Sequence, residues 1–181
     1  RIAGIAKKYF HINKNVNVIV DDARHYLNLT KNKYDVIIYD LYHSETPPIH
    51  LMTKEAFAEI KTKLKKKGLL IVNFYGYITG SKGKAARSIY KTLLTDNYHV
   101  KLVATEGKEN ARNLLFIASK TKLIPKNKLL SIVINPTNIN FNDAVVLTDD
   151  KPILEHIYLA AALDWRKNYN EVNAKYFLQK R

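Results

Sequence analysis

The chain contains no cysteine among its 181 residues. This absence excludes a disulfide framework, a thiolate nucleophile and a cysteine-ligated metal site, and it favours a reducing, cytoplasmic compartment. No apolar run reaches the roughly 18 residues that a transmembrane helix needs, so we expect no membrane partner. His43 and His50 stand seven residues apart without a nearby carboxylate pattern, so we also expect no metal.

The start of the chain lacks two further features. Arg1-Ile2-Ala3-Gly4 does not open a long apolar stretch, so it does not resemble a signal peptide. The first residue is not methionine, and the chain opens inside a stretch that predicts a helix. We therefore expect that further residues precede Arg1 in the complete protein.

Positive charge is the main compositional bias. The formal net charge is +14, which indicates either an anionic partner or a solvated basic surface. The densest run, Lys61 to Lys67, closes a predicted helix just before Gly68, where cations complement the helix dipole. Nucleic acid is therefore an alternative partner that the sequence does not favour.

Predicted helices and strands alternate along the first two thirds of the chain. Apolar spacing predicts helices at Ile2–Phe10, Ala23–Asn28, Lys54–Lys66 and Ser81–Asp96. Apolar runs predict strands at Val16–Val20, Tyr34–Tyr39, Gly68–Phe74, Tyr98–Ala104 and Asn113–Ser119. The run after Gly68 is continuous, as expected for a sheet that is covered on both faces.

The pattern is looser after Lys120. Leu129–Ile134 and Ala144–Leu147 are either short strands or irregular. Thr148–Pro152 predicts a helix start, with Asp149 and Asp150 as capping residues. That helix should run to about Arg166, followed by a second helical stretch at Glu171–Leu178.

Alternating strands and helices predict an α/β fold with a doubly wound, mostly parallel sheet. Tyr98–Ala104 and Asn113–Ser119 follow the last long helix of the alternating region and predict an antiparallel hairpin. Within the α/β class, this hairpin favours the class I methyltransferase type of fold, with a C-terminal antiparallel hairpin and C-terminal helices. We expect one domain over residues 1–181, incomplete at its N-terminus, with 121–181 as a C-terminal extension.

Two predicted strands end on acids. Asp21 and Asp22 follow Val16–Val20, and Asp40 follows Tyr34–Tyr39. Ligands of open α/β sheets bind beyond the carboxyl ends of the strands, so these acids form a candidate active site. Asp40 can alternatively cap the next loop, and Asp22 can alternatively cap the short helix that begins at Ala23.

The glycine-containing stretch Gly76–Lys84 is a further candidate. It fails the Walker spacing, because Ile78 stands where the first glycine should be and Ala85 replaces Ser or Thr. Its simplest role is to turn the chain between a strand and a helix. Its three glycines and two lysines also suggest a rim that accepts an anion.

Three motifs resemble the spermidine synthase family in order and spacing. They are Val-Ile-Val-Asp-Asp-Ala-Arg at 18–24, Tyr-Asp-Val-Ile-Ile-Tyr-Asp at 34–40, and Pro-Pro-x-x-Leu-x-Thr-x-x-x-Phe at 47–57. The resemblance runs from about Ile5 to Ser119, with Leu147–Asp150 as a further echo. These are aminopropyltransferases built on the methyltransferase fold.

The resemblance implies roles for individual residues. Asp22 and Ala23 match the pair that holds the adenine of the nucleoside. Asp40 matches the first acid of the family's loop, which helps to take the proton from the attacking amine. Pro47 and Leu51 match the loop proline and the leucine that begins the next helix.

The chain also departs from the family pattern. His43 stands in place of the second loop acid, and its ordinary pKa near 6.5 would suit proton transfer. Leu41 and Tyr42 replace two serines, and Thr46 replaces the loop glycine. The pocket tyrosine of the family is replaced by Thr105-Glu106-Gly107. Glu45 or Glu106 are candidates to supply the missing acid.

The resemblance implies aminopropyl transfer from decarboxylated S-adenosylmethionine to an amine such as putrescine, by a homodimer. The expected catalytic residues are Asp40 and His43, with Tyr42, Glu45, Pro47 and Leu51 in the substrate loop. Two alternatives stay open. One is an S-adenosylmethionine-dependent methyltransferase with a non-polyamine acceptor, and the other is a catalytically silent basic module. The family's glycine-rich turn and ribose-binding acid are absent from the printed residues, which predicts weak nucleoside binding by them alone.

Overall fold

The computed structural model describes residues 2–178, except 11, 14, 44 and 124–131. The chain separates into two compact units, Arg1–Thr30 and Lys31–Arg181. The first unit contains helices α1 (Ile2–Tyr9) and α2 (Ala23–Leu29). The predicted division at residue 120 does not coincide with this boundary, and the single-domain organisation stays a prediction.

Val16–Val20 is not a strand. Residues 17–20 have no assigned secondary structure and pair with no strand of the described chain. Val16, Ile19 and Val20 are 54%, 48% and 82% exposed. A strand is stable only when a neighbour satisfies its backbone groups. The apolar run at 16–20 therefore has the composition of a strand, but in the described chain it has no neighbouring strand to pair with.

The second unit contains a five-stranded sheet in the order β1-β2-β4-β3-β5. The strands are β1 (Tyr34–Tyr39), β2 (Leu64–Tyr75), β3 (His99–Ala104), β4 (Asn113–Ser119) and β5 (Ile132–Ile134). In the described sheet only β1 and β2 pair in parallel, and the other three pairings are antiparallel. The α/β class and the hairpin of β3 and β4 are confirmed, whereas the parallel part of the described sheet is confined to one pair.

Three helices accompany this sheet: α3 (Lys54–Lys63), α4 (Lys84–Thr95) and α5 (Leu154–Leu178). Their apolar residues pack on one face of the sheet, where Leu70, Val72 and Phe74 are at most 1% exposed. The core side chains of the helices include Phe57, Ile60, Ile89, Leu93 and Tyr158. The other face is more open, because Val36 and Ile38 of β1 are 45% and 62% exposed. The expectation that both faces are covered is not met in the described residues.

Helix α3 begins at a well-defined cap and ends earlier than predicted. Thr53 is its N-cap and accepts a hydrogen bond from the amide of Ala56 at 3.2 Å. Its hydroxyl donates to Asp149 at 2.7 Å. Asp149 therefore supports the start of α3 rather than capping the last helix. The helix ends at Lys63, so Gly68 is not its stop signal.

Helix α5 is one continuous element of 25 residues. It joins the two stretches that the sequence separated, and it starts at Leu154, beyond the predicted caps. Segment 144–147 is irregular, and β5 falls at the end of the looser stretch 129–134, whose first residues lie outside the described part. Among the described residues, no helix has the length and apolarity needed to cross a membrane.

Candidate functional site

The carboxyl ends of β1 and β2 bring two polar side chains together. Tyr39 pairs with Val72, so Asp40 follows the last residue of β1 beside Asn73, which lies near the carboxyl end of the parallel strand β2. The Asn73 amide nitrogen donates to the Asp40 carboxylate at 2.8 Å. The amide oxygen of Asn73 is buried and has no hydrogen-bond partner among the described residues. A buried amide oxygen without a protein partner can accept a hydrogen bond from water or from a ligand.

The loop after Asp40 folds back on itself. The amide of His43 donates to the carbonyl of Thr46 at 2.7 Å, and the Thr46 amide returns a bond at 3.2 Å. This bridge directs Tyr42 toward β2, where its hydroxyl donates to the carbonyl of Asn73 at 3.0 Å. Burial, with the nearby Asp40 charge, raises the pKa of Tyr42 above its ordinary value. Tyr42 therefore stays a neutral hydrogen-bonding group at physiological pH.

A cavity of about 330 Å³ adjoins this loop. It is lined by side chains of the loop, the ends of β2 and β4, and helix α5: Tyr42, Glu45, Asn73, Tyr75, Asn113 and Trp165. Trp165 meets the Tyr75 ring edge-on at 5.6 Å. We refer to this space as the aromatic cavity. Aromatic faces together with a carboxylate are the surroundings that an organic cation prefers.

Glu45 is the acid in the wall of the aromatic cavity. Its carboxylate accepts from the Arg166 Nε at 2.6 Å, and its side chain is 14% exposed whereas that of Arg166 is 54% exposed. Arg166 therefore compensates part of the negative charge from the solvent side. Glu106, the other candidate for this role, is exposed and does not line the aromatic cavity.

Tyr158 of helix α5 supports the wall of the aromatic cavity. Tyr158 is 1% exposed, and its hydroxyl donates to the carbonyl of Tyr75 at 2.8 Å. Burial raises the pKa of Tyr158, and the neighbouring Tyr42, Tyr75 and Glu45 add to the effect. Because its ring also packs at 5.0 Å from Phe74, Tyr158 fixes helix α5 against the end of β2.

The other predicted loop residues lie outside the lining of the aromatic cavity. Pro47 is buried, and Leu51 is 1% exposed at the end of the short 3₁₀ turn Ile49–Leu51. His43 is exposed, and its backbone forms the bridge to Thr46. The described residues contain no group of three or more His, Asp or Glu side chains that could hold a metal ion.

Asp22 and Ala23 belong to the first unit, which we describe by itself. Asp22 is the N-cap of α2, and one of its carboxylate oxygens accepts from the amides of Arg24 and His25 at 2.9 and 3.0 Å. The capping role is thus present, and the adenine-binding role stays a prediction. Asp21 contacts the ring of His25 at 2.9 Å.

The glycine-containing loop Gly76–Lys84 already holds an anion from the chain itself. The amides of Ile78 and Thr79 donate to Glu109 at 3.2 and 3.3 Å, and the Thr79 hydroxyl donates at 2.6 Å. Lys82 pairs with Asp164 at 2.9 Å. The donors of the predicted anion-accepting rim thus bind the Glu109 carboxylate, so they are not available to a phosphate.

Four cavity residues were missed by sequence reasoning: Asn73, Tyr75, Asn113 and Trp165. A signal existed for Asn73, since it is the one polar residue in the apolar run Leu69–Phe74. A buried strand does not place an amide there without a partner. Trp165 is the single tryptophan of the chain, but its position over the strand ends follows from the packing of α5.

A family model described as the spermine/spermidine synthase domain matches residues 4–74. The chain is 31% identical over 111 residues to the polyamine aminopropyltransferase of Vibrio vulnificus (strain CMCP6), covering 59% of this chain and 36% of that protein. It is 28% identical over 93 residues to a probable polyamine aminopropyl transferase of Bifidobacterium longum (strain NCC 2705), covering 51% of this chain and 21% of that protein. Residues 4–74 of the chain are thus similar to the spermine/spermidine synthase domain.

The chain also resembles solved structures. A probable spermidine synthase from Corynebacterium glutamicum ATCC 13032 superposes with a TM-score of 0.58 at 24% identity, covering 70% of this chain and 47% of that one. Human methyltransferase-like protein 13 gives 0.53 at 19% identity, covering 91% and 67%. These similarities establish the fold.

A third relative has a different activity in its name. The N-terminal histidine N-methyltransferase of Emericella nidulans is 28% identical over 96 residues, covering 48% of this chain and 17% of that protein. The chain thus spans between 17% and 36% of the length of these curated relatives. All three relatives are named as transferases.

Proposed function

We propose that the protein transfers an aminopropyl group from decarboxylated S-adenosylmethionine to an amine acceptor that binds in the aromatic cavity. The observation that carries this proposal is the Asp40 carboxylate, held by Asn73 at the carboxyl ends of β1 and β2. The aromatic cavity begins at the same asparagine. A proton acceptor and a cation-binding space thus lie side by side where α/β sheets bind ligands.

The reaction needs an uncharged amine. The amine nitrogen uses its lone pair to form a bond to the aminopropyl carbon next to the sulfonium, and the carbon–sulfur bond breaks with its electron pair going to sulfur. Methylthioadenosine leaves, and the proton of the new ammonium is given up. In this proposal Asp40 accepts that proton, and the buried Asn73 amide oxygen accepts a hydrogen bond from the reacting amine.

The aromatic cavity would hold the rest of the acceptor. The rings of Tyr75 and Trp165 offer their electron-rich surfaces to a cationic chain, and Glu45 offers a carboxylate in the cavity wall. The low exposure of Glu45 strengthens its attraction for an ammonium group compared with a surface acid. Asp22 and Ala23 are proposed to hold the adenine, as the family resemblance implies.

Calorimetric titration of the protein from its complete reading frame tests the proposal. Decarboxylated S-adenosylmethionine, S-adenosylmethionine and methylthioadenosine are titrated separately, and product analysis follows with a set of diamines and monoamines. We expect binding of the decarboxylated nucleoside and aminopropylated product. Asp40→Asn should keep nucleoside binding and lower the transfer rate by about 10²- to 10³-fold. Absence of binding to all three nucleosides would refute the proposal.

A second candidate is methyl transfer from S-adenosylmethionine to a non-polyamine acceptor. The Arg166–Glu45 pair favours it, because a compensated Glu45 attracts a second ammonium group less strongly. The departure at His43 and the methyltransferase among the relatives agree with it. The same product analysis separates the two: a methylated acceptor with S-adenosylmethionine supports this candidate, and abundant aminopropylated diamine excludes it.

A further inference from the structure

The run of lysines at the start of β2 is a surface feature rather than a helix end. The β1–β2 register passes from Tyr34 opposite Leu64 to Val36 opposite Leu69. One residue of β1 therefore faces four residues of β2, and Lys65, Lys66 and Lys67 lie in the resulting bulge. All three are exposed. The helix whose dipole was expected to explain them ends at Lys63.

A glycine holds this bulge in place. A Cβ atom at Gly68 would lie 2.9 Å from the carbonyl oxygen of Tyr34 and 3.0 Å from the amide nitrogen of Lys65. Both neighbours are backbone atoms, so neither can move without disturbing the strand pairing. The three lysines are thus presented by a closely packed backbone turn, where a β-bulge directs side chains outward.

Lysines from other segments converge on the same end of the sheet. Lys33, before β1, donates to the carbonyl of Thr62. Lys120, after β4, donates to the carbonyl of Leu64 at 2.6 Å. Burial lowers the pKa of Lys120, and the charges of Lys33 and Lys61 lower it further. These ammonium groups are therefore close enough to repel one another.

Negative charge is scarce at this end. Segments 31–35, 61–67 and 120–122 contain nine lysines and one acid, Asp35. Asp35 pairs with Lys65 at 2.7 Å, and Lys66 and Lys67 are the other charges of the bulge. Asp96 is a second acid at this end, since its carboxyl interacts with the charge of Lys61. The excess of positive charge on this surface raises the local concentration of a polyanion.

We propose that this lysine-rich end binds the phosphate backbone of nucleic acid, at the end of the sheet opposite to Asp40. Compact ammonium groups on several chain segments suit phosphates that follow one another along a strand. None of the exposed large apolar side chains in the described part of the chain belongs to these three segments. A membrane surface normally requires such side chains for insertion. Binding would be independent of base sequence.

The test measures fluorescence anisotropy with a labelled RNA and a labelled DNA duplex between about 50 and 200 mM salt. Four to six phosphate contacts predict a slope of log K against log salt of roughly −4 to −5 for the duplex. Lys66→Gln combined with Lys67→Gln should reduce that slope by about 2. The matched control is Lys108→Gln with Lys151→Gln, which removes the same charge from exposed positions elsewhere.

Two results would overturn the proposal about the lysine-rich end. The first is no binding at the low-salt limit, and the second is an equal loss in the control variant, which would assign binding to net charge alone. A parallel titration uses vesicles of anionic phosphatidylglycerol. Tighter binding to vesicles than to nucleic acid, with the same loss in the bulge variant, would assign the surface to membranes instead. None of these measurements depends on transferase activity.

Discussion

Arg87 is a buried charge whose hydrogen bonds join several segments of the second unit. The residue is 4% exposed within α4. Its guanidinium donates to the Asp143 carboxylate at 2.9 and 2.6 Å, to the carbonyl of Ile78 at 2.6 Å and to the carbonyl of Gly80 at 2.8 Å. Arg87 thus ties the loop after β2 and the segment before α5 to the same helix.

Arg87→Met keeps most of the volume of the side chain and removes these bonds. A hydrogen bond to a charged group contributes about 1.5 to 3 kcal/mol, and breaking a buried ion pair costs about 3 to 5 kcal/mol. Asp143 is 43% exposed and can regain water, so the lower end of that range applies. We expect the free energy of unfolding to fall by about 3 kcal/mol, mainly because two carbonyls lose their partner.

Asp143→Asn is the informative companion. The arginine keeps both carbonyls in this variant, so the expected loss in the free energy of unfolding is about 1 kcal/mol. Urea unfolding followed by circular dichroism measures both. With an m-value of roughly 2 kcal/mol per molar urea, the midpoint should shift by about 1.5 M for Arg87→Met and about 0.5 M for Asp143→Asn. Equal shifts would show that the ion pair, and not the carbonyl contacts, is the source of stability.

The same pair predicts a pH dependence. The hydrogen bond from Arg87 is the largest cause that lowers the pKa of Asp143. A carboxyl with a lowered folded-state pKa contributes stability above its unfolded pKa of about 3.9. That stability is lost as the pH falls through the lower folded-state value. The difference between wild type and Arg87→Met should therefore shrink below about pH 4. A constant difference from pH 7 to pH 3 would contradict this assignment.

Further variants probe the site and the bulge. Glu45→Gln should raise the KM for a diamine about 10-fold and leave nucleoside binding unchanged. Arg166→Gln should lower that KM, because it frees the Glu45 carboxylate. Steady-state kinetics in which the KM changes in the same direction in both variants would contradict the charge argument. Asn73→Leu removes the amide that holds Asp40, so kcat should fall at least about 10-fold with a native circular dichroism spectrum. Gly68→Ala should cost about 1 to 3 kcal/mol in urea unfolding, because its Cβ would meet the Tyr34 carbonyl.

The sequence was sufficient for the elements whose signals are local. The apolar spacing in α4 and the alternating runs of β3 and β4 predicted their positions to within a few residues. Asp40 was identified because a strand that ends on an acid is visible in the sequence alone. The class I methyltransferase type of fold followed from the order of these elements, and the similar structures agree.

The errors arise where tertiary contacts decide. The lysine run predicted that α3 continues to Lys66, whereas Leu64 already belongs to β2 because it pairs with β1. Val16–Val20 has a strand composition without a pairing neighbour in the described chain. Asp149 has a capping composition, but it accepts from Thr53, 96 positions away. In each case the local pattern fits two structures, and the contacts with distant segments select one.

The aromatic cavity suggests how the chemistry and the choice of acceptor are divided. Asp40, Tyr42, Glu45 and Asn73 lie within residues 4–74, the part that matches the family model. Tyr75, Asn113 and Trp165 lie beyond it, and Arg166 reaches Glu45 from the same helix as Trp165. The residues that would carry proton transfer, Asp40 and Asn73, therefore lie in the matched part. The side chains that would contact the acceptor come from both parts, with Glu45 from the matched part and Tyr75 and Trp165 from the later part.

The choice of acceptor would therefore depend on the side chains of α5. A diamine carries two positive charges, and the Arg166 guanidinium 2.6 Å from Glu45 reduces the negative charge that Glu45 offers to one of them. Because Arg166 is half exposed, an incoming ammonium group can displace it into solvent at a modest cost. Added salt screens this exposed pair more than it screens a buried contact between Glu45 and a bound ammonium group, so moderate salt should favour the diamine. An acceptor with one amine would avoid this competition altogether.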